Sequence, residues 1–164
     1  MALEVVFWAA VGLIVYAHLG YPLLLRALVA VFGDDGRAPE PGEPPAVSLI
    51  IAAYDEEEVI ERKLANAKAV DYPPDRLQIV VASDGSSDRT AELARSAGAD
   101  LVLELPRGGK VAALNAAVKQ VSGDVLAFSD ANSYWRPDAL RRLVARFGDA
   151  RVGYVCGQVR FEGG

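Results

Sequence analysis

The stretch VSLIIAAYDEEEVIERKLANAKAVDYPPDRLQIVVASDG, Val47 to Gly85, decides the fold. VSLIIAAY (Val47–Tyr54) is a short, β-branched apolar run of strand length. EEEVIERKLANAKAV (Glu56–Val70) changes the period, because Ile60, Leu64 and Ala67 fall on one helical face. Tyr72-Pro73-Pro74 stops that helix, since proline lacks the amide that would continue it. LQIVVAS (Leu77–Ser83) is a second apolar strand. Two nearly unbroken apolar strands joined through a helix predict a parallel pair with helices over both faces.

The same alternation continues downstream. A helix runs from about Asp88 to Ala97 and stops at Gly98, followed by a strand at Asp100–Leu105. An alanine-rich helix covers Lys110–Val121, and DVLAFS (Asp124–Ser129) is the next strand. Pro137 suits the first position of a helix reaching about Phe147, with Asp138 favourable in its first turn. VGYVCGQVRF (Val152–Phe161) reads as a fifth strand. The expected class is α/β, a mostly parallel sheet built by right-handed crossovers.

Upstream, no Asp, Glu, Lys or Arg occurs between Val5 and Leu25. A helix over those residues would cover roughly 30 Å, the thickness of a bilayer core. A cleaved signal peptide and a buried core helix are the competing readings. The first wants a basic start, whereas Glu4 is the one early charge here. The second is unusual in so small a domain, so residues 1–32 are read as a membrane anchor. Arg26 and Arg37 follow the apolar run and no Lys or Arg precedes it, which puts the remainder in the cytoplasm by the positive-inside bias. Residues 33–46, rich in Gly, Pro and acid, read as a linker, and 47–164 as the domain proper.

Composition narrows the function. Of 164 residues 52% are hydrophobic and 24% charged, which excludes disorder throughout. A net charge of −5 argues against a nucleic-acid partner. A lone Cys156 excludes a disulfide framework, and a lone His18 in the apolar run excludes a His-based triad in the remainder.

Ligands of open parallel sheets bind outside the carboxyl ends of the strands. Three strands here end in acid: Tyr54-Asp55, Ser83-Asp84 and Ser129-Asp130. Such carboxylates on one rim need something positive or hydrogen-bonding among them, a metal ion or a nucleoside for example. Each also has a plain structural reading. Asp55 with Glu58 resembles a capping box, Asp84-Gly85 is a turn pair with Ser86 or Ser87 free to cap a helix, and Asp130 to Ser133 can form an Asx turn. RGGKVAALNAA (Arg107–Ala117) brings positive charge, with two glycines opening a helix whose dipole favours an anion near Lys110. It is not a Walker A loop, because Val111 follows the lysine. Asn115, a poor helix former in mid-helix, suggests a polar partner.

The order SLIIAAYDEE, VVASDGSSDRT, RGGKVAALNAA, VLAFSDAN resembles the donor half of the family 2 glycosyltransferases, which have the GT-A fold. With its apolar start, the chain is similar to their membrane-anchored, processive-synthase-like members. The resemblance implies that Ala53, Tyr54, Asp55, Glu57, Asp84 and Gly85 hold the nucleoside of a nucleotide sugar, expected to be a UDP-sugar. It implies that Lys110 and Asn115 lie by the diphosphate. It further implies that Asp130 and Asn132 take the DxD position, with Mg²⁺ or Mn²⁺ as cofactor. Asn132 stands where the pattern has a second acid, so it can ligate through its carbonyl oxygen without adding charge. The implied reaction is inverting sugar transfer to a glycan or lipid-linked acceptor. The family's base, an aspartate of a later motif, and its Q-x-x-R-W-like acceptor segment are missing before Gly164, so the chain is read as an N-terminal fragment. A tethered nucleotide-binding module is the competing reading. A sugar-phosphate nucleotidyltransferase ranks lower, because DEEE follows the first strand where that class has a basic Gly-rich loop. Asp84→Ala is expected to weaken nucleotide binding with little effect on folding.

Overall fold

The computed structural model describes residues 1–32 and 43–158, so most of the expected linker lies outside the described residues. The chain divides into two compact units, Met1–Arg37 and Ala38–Gly164.

In the first unit, helix α1 (Ala2–Val15) and helix α2 (Tyr21–Phe32) join through one π-helical turn at Tyr16–Gly20. That turn has a local cause. Pro22 offers no N–H and its ring crowds the carbonyl of His18, four residues back, so the helix widens there. Together they form a helix of 31 residues with a mean hydropathy of 1.9 in its most apolar window, long and apolar enough to cross a membrane.

The second unit is a four-stranded parallel sheet of order β3-β2-β1-β4. Its strands are β1 (Val47–Ala53), β2 (Leu77–Asp84), β3 (Leu101–Leu105) and β4 (Val125–Asp130). Alternation along β1 explains the two layers. Leu49, Ile51 and Ala53 face α3 (Ile60–Lys68) and α4 (Thr90–Ser96), meeting Ile60, Leu64, Ala67 and Ala94. Ile50 points the other way, with Val80 and Ala82, onto Ala113 and Ala117 of α5 (Lys110–Val118). Val47 packs with Leu140 and Val144 of α6 (Ala139–Val144). Helices thus cover both faces of β1 and β2, as their apolar runs require, whereas Leu126 and Phe128 of β4 stay exposed on the face that carries Ile50.

Three expectations change. Residues 152–158 form no strand, and 159–161 lie outside the described residues; alternating apolar residues supply a face but no ladder partner. The helix expected from Pro137 begins at Ala139, with Pro137 in the preceding turn and its carbonyl accepting from Asp71 N–H at 2.7 Å. The capping box of Asp55 and Glu58 does not form, because Val59 precedes the first helical residue and Asp55 sits at φ 50°.

Gly123 lets β4 enter against β1. A Cβ there would stand 2.6 Å from the Ser48 backbone nitrogen and 2.7 Å from its Oγ. Ser48 is fully buried, and its Oγ accepts from Gly123 N–H at 3.1 Å. Gly123→Ala should therefore destabilise the domain by about 1–3 kcal/mol through overpacking. Urea unfolding with an unchanged midpoint would contradict this.

Candidate functional site

All four strands are parallel, so their carboxyl ends share one edge, where Ala52 pairs with Asp130 and Ala53 with Ser83. Asp55, Asp84 and Asp130 therefore leave the same rim, each with its own partners.

Asp84 ends β2 and is only 4% exposed. Its Oδ1 accepts from Gly108 N–H at 2.7 Å and Gly109 N–H at 3.0 Å. Its Oδ2 accepts from Gly109 N–H at 2.9 Å and Arg107 Nη1 at 2.9 Å. Both oxygens are thus occupied by the RGGK loop. Gly85 makes room for that loop, since a Cβ there would lie 2.8 Å from Arg107 N, and its φ of 69° suits glycine. The Arg107 guanidinium also lies 3.3 Å from the centre of the half-exposed Tyr54 ring.

The β1–α3 and β2–α4 loops are laced to each other. Asp55 N–H donates to Ser86 Oγ, while Asp55 Oδ1 accepts from Ser87 N–H at 2.8 Å. Glu57 N–H donates to Asp88, and Arg89 N–H donates back to Glu57. Glu56 N–H meets Thr90 Oγ1 at 2.8 Å. Burial pushes the Asp88 carboxyl up, but hydrogen bonds from Thr90 and Glu57 outweigh it and hold the group below the usual carboxylate range. Ser86 and Ser87 serve this lacing instead of capping α4, whose first amide is met by Asp88.

The RGGK loop delivers α5 to the rim. Gly109, at φ 89°, precedes Lys110, and the first-turn amides that follow have no intrahelical acceptor. Lys110 Nζ reaches across to Asp130 Oδ1 at the end of β4. Both side chains are half-exposed, so the pair contributes at most about 1 kcal/mol to stability. Asn132 is exposed two residues further on.

Two sequence candidates stand apart from this cluster. The Ala53 side chain is buried in the core on the α3 side. Asn115 is exposed on α5 between the buried Ala113 and Ala117, and has no hydrogen-bond partner among the described residues.

Lys63 was not among the candidates. It is 1% exposed, beside Leu64 on the apolar face of α3, and donates to Ser129 Oγ at 2.7 Å and to the Ser133 carbonyl. Burial lowers its pKa to about 8, opposed by the charge of Asp130. A lysine in the Ile60, Leu64, Ala67 stripe is the sequence signal that could have found it.

Among the described residues no three His, Cys, Asp or Glu side chains group to hold a metal ion. Asp130 and Asn132 nevertheless suit a hard cation of the kind that takes one carboxylate and completes its shell with phosphate oxygens and water.

Residues 48–164 match the family described as Glycosyl transferase family 2. A beta-monoglucosyldiacylglycerol synthase of Trichormus variabilis is 32% identical over 98% of this chain and 35% of its own length. Glycosyltransferase AglE of Haloferax volcanii is 33% identical over 71% of this chain and 40% of its own. Among solved structures, a mannosyltransferase of Pyrobaculum calidifontis in complex with GDP-Man and Mn²⁺ superposes with a TM-score of 0.74. It is 35% identical, covering 84% of this chain and 43% of that one. The chain spans between a quarter and two fifths of the length of the curated relatives it matches. With the parallel sheet and its helices on both faces, these likenesses establish that the chain belongs to the family 2 glycosyltransferases and carries a GT-A-type fold.

Proposed function

We propose that the carboxyl rim is the donor site of a nucleotide-sugar-dependent glycosyltransferase, acting with inversion on a glycan or lipid-linked acceptor. The Lys110–Asp130 pair carries this reading, because an exposed cationic side chain, a helix start and a carboxylate meet at one place. Lys110 and the first turn of α5 bind the diphosphate. Asp130 and Asn132 hold a divalent cation, Mn²⁺ or Mg²⁺, which when bound neutralises charge on the leaving nucleoside diphosphate. Mn²⁺ accompanies the donor in the Pyrobaculum mannosyltransferase, which supports this assignment.

Tyr54, Asp55 and Glu57 form the nucleoside wall, with Ala53 contributing backbone. Asp84 and Gly85 act by shaping the RGGK loop, since both Asp84 oxygens are already hydrogen-bonded to it. Asn115, exposed on α5, lies beside the diphosphate in this reading. UDP-sugars are the first donors to test, and GDP-sugars belong beside them because that mannosyltransferase binds GDP-Man. Residues 1–32 serve as the membrane anchor, with the domain on the cytoplasmic side.

Three outcomes test this. Lys110→Ala and Asp130→Ala should each weaken Mn²⁺–UDP or Mn²⁺–GDP binding about tenfold or more, the scale of one charge-assisted hydrogen bond. Their melting temperatures should barely move, since the pair is exposed. Calorimetry showing unchanged affinity for both nucleotides would remove the donor site. Asp84→Ala should lose about 1–3 kcal/mol of stability as well as affinity, because it removes the acceptor that holds the Gly108 and Gly109 amides and the Arg107 guanidinium; full stability in chemical denaturation counts against the loop-shaping role. Removal of residues 1–42 should release the protein from membranes in a flotation assay, and equal partitioning of both forms would refute the anchor.

A further inference from the structure

The turn that carries Asp130 and Asn132 is gripped from below by one face of α3. Lys63 Nζ donates to Ser129 Oγ, just before the turn, and to the Ser133 carbonyl, just after it. Asn66 holds Trp135, two residues further on, twice: its Nδ2 donates to the Trp135 carbonyl and its Oδ1 accepts from Trp135 N–H, both at 2.8 Å. Arg62 Nε donates to Tyr134 Oη at 2.6 Å, and its guanidinium lies 5.0 Å from that ring's centre. The Lys63 ammonium also lies 5.7 Å from the centre of the Trp135 ring.

Burying an ammonium costs several kcal/mol unless acceptors surround it. A methionine would fill the same space among Ile60, Leu64 and Ala67 without that penalty. The sequence instead spends a buried charge on two oxygens that bracket a turn of three residues. Residue types chosen for packing alone do not require this.

We infer that Lys63 is a positioning residue for the Asp130-Ala131-Asn132 turn: by tying Ser129 to Ser133 it fixes the direction in which Asp130 and Asn132 present oxygen to a cation bound by the donor diphosphate. Lys63 is 1% exposed and spends its ammonium on Ser129 and Ser133. Its effect passes through the turn, as groups behind metal ligands commonly do. The inference rests on the donor-site reading above.

The test uses the full chain in detergent micelles, with UDP and GDP as probes, each titrated in Mn²⁺ and again in EDTA. The ratio of the two affinities measures the gain due to the metal. Lys63→Met should reduce that gain about 10- to 100-fold, while the metal-free affinity stays as in the parent. A lysine needed only for folding would lower the melting temperature and leave the gain intact in the folded protein. Asp130→Asn is run beside it. If Asp130→Asn loses the gain and folded Lys63→Met keeps it, the positioning role is overturned and the donor site stands. If Asp130→Asn keeps the gain, the donor-site reading fails and the role of Lys63 fails with it. Should Lys63→Met not fold, Ser129→Ala removes one of the two acceptors. A few-fold smaller gain then supports the inference, and an unchanged gain overturns it.

Discussion

A buried carboxylate needs every oxygen satisfied, and Asp84 satisfies its own with the loop that opens α5. This joins the end of β2 to Arg107, Gly108 and Gly109, and thereby sets where α5 begins. Lys110 is the next residue, and from that start its ammonium reaches Asp130 at the end of β4. The rim is therefore assembled across three strands by one acidic side chain that is itself nearly inaccessible. Had the loop been free, the positive charge of Lys110 would have had no fixed place at the sheet edge.

The acidic residues of this rim divide by environment. Asp84 is enclosed and hydrogen-bonded by backbone, Asp55 and Glu57 hold amides of the adjoining loop, and Asp130 meets a flexible lysine at the surface. Exposed pairs exchange partners at little cost, whereas enclosed ones do not. The proposed donor site accordingly assigns the diphosphate and cation to Lys110 and Asp130, and loop-shaping to Asp84. Behind the β4 turn, Lys63 and Asn66 supply a second brace from α3. Family 2 membership rests on the whole ordered pattern, which no single one of these contacts could establish.

Much of this was legible in the sequence. Strand and helix alternation from Val47 to Asp130 follows from periodicity, because burial on both faces demands continuous apolar strands. The acids at strand ends were equally visible, since a sheet needs none of them internally. What each acid touches was not. Asp55 looked like a helix cap, yet its left-handed backbone turns it to Ser87. The partners of Asp84 were not visible either, because the amides that bind its oxygens come from over twenty residues away. Lys63 reads as solvated, as a lysine on a helix ordinarily is, and only tertiary packing buries this one. The pattern at Val152–Phe161 suggested a strand, but pairing is a long-range property that local alternation does not encode.

Hydrogen–deuterium exchange of the full chain, with and without Mn²⁺–UDP or Mn²⁺–GDP, tests the rim most directly. A donor held between α5 and the β4 turn slows exchange in residues 107–112 and 129–135 together, leaving β3 and the N-terminal helix unchanged. Protection confined to other segments, or none at saturating nucleotide, contradicts a nucleotide site at this edge.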